Sequence, residues 1–101
     1  MAEIINLAEA VSLTHAFQNS TIGTGQTISA IFEKEIIEQI LNQVDCCGIN
    51  IYNALNEEGK ITFVLVGYDK DKKDMVDGII VDNADNCPKL CYDTNSPLKN
   101  V

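Results

Sequence analysis

The chain is poor in basic side chains. Its 101 residues include 7 lysine and arginine residues against 15 aspartate and glutamate residues, which gives a formal net charge of −8. An acidic protein of this kind repels a phosphate backbone and an anionic membrane surface. We therefore expect neither nucleic acid nor a membrane among its partners.

A long uninterrupted apolar run is also missing. The first residues, MAEIINLAEAV, carry an acidic residue where an export signal needs a basic one, and Asn6 and Glu9 interrupt the apolar positions. We therefore expect a cytoplasmic protein. In that reducing compartment, cysteines persist as thiols or metal thiolates more often than as disulfides.

Signatures of catalysis and of ligand binding are absent as well. The acidic turn that begins at Asp69 fails the EF-hand template, because its sixth and twelfth positions are Asp74 and Ile80. The loop GTGQT lacks the lysine of a phosphate-binding loop, and no pair of carboxylates stands out for acid–base chemistry. We expect no catalytic and no cofactor-binding residues, and the sequence favours a protein that is not an enzyme.

The length and the apolar content suffice for one folded domain. Hydrophobic residues make up 46% of the chain and charged residues 22%. A chain of this size buries about two-thirds of the surface that its unfolded form exposes. We predict a single domain over residues 1–91, followed by a flexible polar tail over residues 92–101.

Two segments have the apolar period of an amphipathic helix. The first spans about residues 7–18, with Asn6 and Glu9 as a capping pair at its start. The second spans about residues 33–44, where the isoleucines of EKEIIEQIL share one stripe. Residues 45–48 close this helix, and the glycine among them is expected to supply the backbone freedom of the turn.

Alternating apolar patterns predict strands after each helix. A short strand is expected within residues 28–32. Residues 49–55 and 60–68 form a predicted hairpin around the turn NEEG, and residues 78–82 add a further strand. The order helix, strand, helix and three strands predicts an α+β fold, in which two helices pack on one face of a small, mostly antiparallel sheet of three to four strands.

The hairpin pattern also predicts which side chains are covered. Ile49, Ile51 and Leu55 are the expected inward residues of its first strand. The second strand is apolar on both faces, so it is predicted to be central in the sheet. Two short helices do not readily cover this many apolar side chains on the strands. Apolar side chains that stay uncovered often mark an interface. The leading hypothesis is a binding or assembly module that contacts a protein partner or self-associates through its sheet.

Four cysteines and a single histidine are the candidate metal ligands. The stretch NCPKLC places Cys87 and Cys91 four residues apart, which on a helical turn begun by the proline puts both sulfurs on one side. A tetrahedral site needs more ligands, and these would come from Cys46 or Cys47 of the CC pair and from His15. The alternative function is therefore a thiol-ligated protein that binds zinc or an iron–sulfur cluster.

The same cysteines also fit structural roles. Cys46 and Cys47 lie at the predicted helix-to-strand junction, where small buried thiols are common. Cys87 and Cys91 then hold the C-terminal segment against the sheet, as thiols or through a disulfide to the first pair. Both the shared metal ion and that cross-link require the late cysteines to fold back toward residues 45–48.

Four segments carry a resemblance to other proteins. IIEQIL, CCGINIY, ITFVLVGYD and CPKLC, which lie between Ile36 and Cys91, resemble a family of uncharacterised short bacterial proteins. The resemblance implies no activity. In that family a basic residue is expected where this chain has Asn50, so no role of a basic side chain transfers. The glycine-led strand, the hairpin and the late cysteines are also similar to A-type iron–sulfur carriers, whose closing cysteines are separated by a single glycine.

Overall fold

Two helices and two small antiparallel sheets make up the computed structural model, which describes residues 2–82, 85–89 and 91–100. The helices are α1 (Leu7–Asn19) and α2 (Lys34–Leu41), and the strands are β1 (Ser29–Ala30), β2 (Gly48–Leu55), β3 (Ile61–Tyr68), β4 (Ile80–Asp82) and β5 (Asn86–Cys87). One sheet has the order β2-β3-β4, and β1 and β5 form the other. The predicted α+β fold is confirmed.

Helix α1 begins where the capping pair predicts. The side-chain oxygen of Asn6 accepts a hydrogen bond from the backbone N–H of Glu9 at 2.8 Å. None of the side chains of α1 is buried. Leu13 and Phe17 line an apolar cavity of about 320 Å³ together with Ile61 and other residues of the hairpin. The helix therefore covers the sheet loosely.

Helix α2 ends at Leu41, three residues before the predicted end at Val44. The carboxamide of Gln43 explains the early end. Its Nε2 donates a hydrogen bond to the carbonyl of Ile40 at 2.9 Å, and its Oε1 accepts one from the N–H of Ile79 at 2.8 Å. These bonds turn the chain toward the segment that leads into β4, and Val44 is left 84% exposed.

The prediction that the glycine at position 48 turns the chain after α2 is wrong. The left-handed backbone lies at Asp45, where φ is 69°, whereas Gly48 is the first residue of β2. Gly48 is required for another reason, since a Cβ there would lie 2.5 Å from the hydroxyl oxygen of Tyr68. The glycine permits this close packing.

Strand β3 is central, as predicted. It pairs with β2 along its whole length and with β4 over three residues. Leu65 and Val66, which point to opposite faces of the sheet, are 2% and 4% exposed. Ile40 of α2 is also fully buried, and together with Cys87 these are the buried hydrophobic side chains among the described residues.

Strand β2 is less covered than its pattern predicts. Ile51 is 61% exposed and Leu55 is 70% exposed, so the prediction that both are covered is wrong. Ile51 lies opposite Leu65 and therefore shares its face of the sheet. Leu65 is buried because β3 is central, whereas Ile51 and Leu55 lie on an edge strand.

The segment 91–100 contains neither helix nor strand, and part of it lies along α1. His15 donates a ring N–H to the carbonyl of Pro97 at 3.0 Å, and Gln18 donates to the carbonyl of Leu98 at 2.9 Å. The flexibility of the tail stays a prediction. Parts of the predicted domain and tail lie outside the described residues, namely Met1, Asn83, Ala84, Leu90 and Val101. Neither helix in the described ranges has the length and apolarity to cross a membrane.

Candidate functional site

The two late cysteines are bonded to each other. Cys87 and Cys91 form a disulfide with their Cα atoms 4.7 Å apart. Cys87 is 2% exposed and pairs with Ser29 across the β1–β5 sheet. Sulfurs in this bonded form are not thiolates, which are the form that binds a metal. The cross-link thus lies within NCPKLC, and the proposed bond to the early pair is not formed.

The two early cysteines are free thiols at the start of β2. Cys46 is half-buried, and its S–H donates to the carbonyl of Gly48 at 3.2 Å. A Cβ built on Gly67 would lie 2.9 Å from the sulfur of Cys46, so this thiol packs against the end of β3. Cys47 is exposed, and its nearest acceptor is the carbonyl of Asp45 at 3.7 Å. The expectation of small buried thiols at the helix-to-strand junction therefore holds in part for Cys46 and is wrong for Cys47.

The structure does not bring the predicted metal ligands together. Asn86, the neighbour of Cys87, donates to the side chain of Thr62 at 3.3 Å, near the beginning of β3. Cys46 contacts Gly67, five residues further along the same strand, which corresponds to roughly 16 Å. Among the described residues, no three His, Cys, Asp or Glu side chains are grouped to hold a metal ion. A metal site that includes Cys47, Cys91 and His15 stays a prediction that needs a different arrangement.

Strand β2 is an edge of the main sheet, and among the described residues its only strand partner is β3. Its eight residues, GINIYNAL, include no charged residue and no proline. Tyr52 is 47% exposed, in addition to the exposed Ile51 and Leu55. Unpaired edges without charges, prolines or bulges are the edges that pair with another chain. The opposite edge, β4, is three residues long and ends in Asp82.

The hairpin register shows which main-chain groups of β2 are unpaired within the sheet. The N–H of Asn56 donates to the carbonyl of Lys60 at 2.9 Å. Antiparallel pairing alternates by residue, so the even-numbered residues of β2 bond to β3 and the odd-numbered residues direct their N–H and C=O groups away from it. The outward groups belong to Ile49, Ile51, Asn53 and Leu55.

A carboxylate ties the turn after β3 to the strand β2. Asp74 accepts hydrogen bonds from the amide of Asn50, at 2.9 Å, and from the hydroxyl of Tyr52. These two bonds, chiefly the one from Tyr52, hold the pKa of Asp74 below its usual value. The same bond to Asp74 raises the pKa of Tyr52. Asn50 thus has a defined contact at the position where the resembling proteins are expected to carry a basic residue.

Part of the sheet face opposite α1 forms an open groove of about 910 Å³. Ala54 and Val64 line its floor, and the C-terminal segment at Pro88 and Lys89 forms one wall. Lys89 makes an ion pair with Glu58 across the groove at 3.0 Å. The pairing of these two side chains lowers the pKa of Glu58. This face is therefore open around Ala54 and Val64, whereas Thr62 and Val66 on the same face are 8% and 4% exposed.

Comparison of the chain with protein-family models, curated protein sequences and solved structures finds no match. The function therefore has to be inferred from the geometry of the chain itself.

Proposed function

We propose that this protein is a small assembly module that self-associates through its three-stranded sheet. The observation that carries the proposal is the exposed area. A folded monomer of 11.1 kDa exposes about 5,700 Å². This chain exposes 7351 Å². The excess of about 1,700 Å² is larger than the ~800 Å² that each partner buries in an interface of standard size.

The dimensions of the molecule support the same conclusion. Its radius of gyration is 15.0 Å. A compact domain of this length has about 13 Å. Exposed apolar side chains on the sheet are candidates for burial in an assembly, and they include Ile51 and Leu55 of β2, which are 61% and 70% exposed. Burial of these side chains would supply the favourable free energy of association.

The negative net charge of the chain favours a protein over a nucleic acid as the partner. A net charge of −8 disfavours a nucleic acid, because binding to phosphates requires a basic surface. The proposal includes a cytoplasmic location, where the Cys87–Cys91 bond is exposed to reduction. It also includes one domain over residues 1–91 with a flexible tail over residues 92–101.

Sedimentation equilibrium over roughly 1–100 µM tests the proposal, since this range covers the dissociation constants expected of small assemblies. We expect an average mass of at least twice 11.1 kDa at the upper end of that range. Thermal unfolding gives an independent readout, because the midpoint of an assembly rises with protein concentration. A strictly monomeric chain whose midpoint does not depend on concentration contradicts the proposal.

The rival function is a thiol-ligated zinc or iron–sulfur protein. The observation in its favour is that Cys87 and Cys91 lie side by side, so reduction would provide two thiolates within reach of one ion. Elemental analysis of freshly isolated protein decides between the two functions. Metal near one equivalent that is lost in the double variant Cys87→Ser and Cys91→Ser supports the rival, whereas a folded protein without metal rejects it.

A further inference from the structure

We infer that β2 pairs antiparallel with β2 of a second copy, so that two three-stranded sheets join into one six-stranded sheet. This inference rests on the proposed self-association and names the surface that carries it. The axis of symmetry passes near the middle of β2, close to Tyr52. Each copy contributes the same strand in the opposite direction, as a twofold interface requires.

The main-chain groups of β2 provide the bonds. Four alternate residues, Ile49, Ile51, Asn53 and Leu55, direct N–H and C=O groups to the open edge. Their spacing is that of a regular strand over its full eight residues. A second β2 that runs in the opposite direction presents the same alternation, so the outward groups of both copies can meet in pairs.

The composition of β2 favours pairing of this edge with a strand of another chain. Edge strands of monomeric proteins are usually protected by lysine, proline, a bulge or a covering element. None of the 15 acidic and 7 basic residues of the chain lies in Gly48–Leu55, and neither proline does. By contrast, β4 is protected by its shortness and by Asp82. The unprotected edge is therefore the long one.

Two observations favour a second copy of the same chain as the occupant. Each copy carries a net charge of −8, so two copies repel each other except where charged residues are absent, and β2 is such a region. In addition, the whole chain exposes about 1,700 Å² more than a compact monomer of its mass, which leaves room for the ~800 Å² that each partner buries in a stable dimer. Antiparallel pairing brings the exposed Ile51 and Leu55 of both copies to the same face of the joined sheet.

A proline in β2 tests the main-chain bonds. The variant Asn53→Pro removes one outward N–H and leaves the bonds between β2 and β3 intact, because edge strands tolerate proline where the N–H faces away from the sheet. We expect the dissociation constant of the dimer to rise at least about tenfold. The matched control Asn53→Ala keeps the N–H and should bind as the wild type does. Equal affinity of Asn53→Pro and wild type overturns the inference.

A charge on the edge gives a second test if the proline variant fails to fold. Ile51→Lys places a cation on β2, and Ile80→Lys places one on β4 at a side chain of similar exposure, 53% against 61%. We expect Ile51→Lys to raise the dissociation constant at least about tenfold and Ile80→Lys to leave it within about threefold. The reverse order of effects overturns the inference.

Distances between spin labels on the two copies locate the twofold axis of the dimer. Labels at Asn53→Cys and Glu57→Cys are introduced separately, in a chain with Cys46→Ser and Cys47→Ser. A strand advances about 3.3 Å per residue, so the Asn53 labels should lie within about 15 Å of each other and the Glu57 labels beyond about 25 Å. Distant Asn53 labels in a dimer reject β2 pairing and leave self-association through another surface. A monomer at every concentration rejects the proposed function itself.

Discussion

The hydroxyl of Tyr52 on β2 donates a hydrogen bond to the carboxylate of Asp74 in the turn after β3. Asn50 donates a second bond to the same carboxylate, and Asp74 forms an isolated antiparallel bridge with Tyr68. The turn is thereby fixed against the face of the sheet next to the edge that we propose to pair.

The hydrogen bond between Tyr52 and Asp74 should make the free energy of unfolding depend on pH in the acidic range. The pKa of Asp74 is lowered in the folded chain, so its contribution is fully present above the unfolded pKa of about 3.9 and is lost as the pH falls through the folded pKa. We expect the difference in urea midpoint between the wild type and Asp74→Asn to shrink as the pH falls below about 4. A difference that stays constant down to pH ~2 would show that the carboxylate charge is not involved. Glu58, whose pKa is also lowered, is unchanged in both chains and serves as a common background.

The core contact of α2 predicts a large loss of stability on truncation. Ile40 is 0% exposed, and Ile40→Ala should reduce the free energy of unfolding by about 2–5 kcal/mol. Leu41, the next residue of the same helix, is 44% exposed. The matched change Leu41→Ala should cost less than half as much. Urea denaturation of both variants measures the difference, and equal losses would contradict the packing of α2 on β3.

The cysteine pairing predicts the number of reactive thiols. Alkylation of the unreduced, denatured chain should add two labels, at Cys46 and Cys47, and reduction beforehand should raise the number to four. In the folded protein, Cys47 should react before Cys46, because Cys47 is exposed and Cys46 is half-buried. Mass spectrometry of the intact chain gives both results. Four labels without reduction would show that Cys87 and Cys91 are thiols.

The charge of the chain predicts how salt affects self-association. Two copies with a net charge of −8 repel each other, and added salt screens this repulsion. The dissociation constant should therefore fall as NaCl is raised from about 20 to about 500 mM, a change that shortens the Debye length severalfold. Sedimentation equilibrium at both salt concentrations measures the dissociation constant. A weaker complex at high salt would indicate an interface made of opposite charges, which β2 does not provide.

Local sequence determined the elements of this protein and much of their extent. The first turn of α1 was predictable because Asn6 and Glu9 lie three residues apart, and the signal needs no distant contact. The hairpin was predictable because apolar alternation and the NEEG turn occur within one continuous stretch. The α+β class follows from the order of these elements. The early end of α2 was not predictable, because it depends on a hydrogen bond that the side chain of Gln43 accepts from the N–H of Ile79, 36 residues away.

The tertiary structure alone decided which surfaces stay open. Alternation shows that Ile51 and Leu55 share a face, but it does not show whether a helix or another strand covers them, since that depends on the order of strands in the sheet. Strand β1 lies within the short strand expected over residues 28–32, whereas β5 is two residues long, too short for a periodic signal. The pairing of β1 with β5 holds Cys87 near the beginning of β3 rather than near Cys46. The separation of the late cysteines from Cys46 and the exposure of the β2 edge therefore depend on long-range pairing, which local periodicity does not encode.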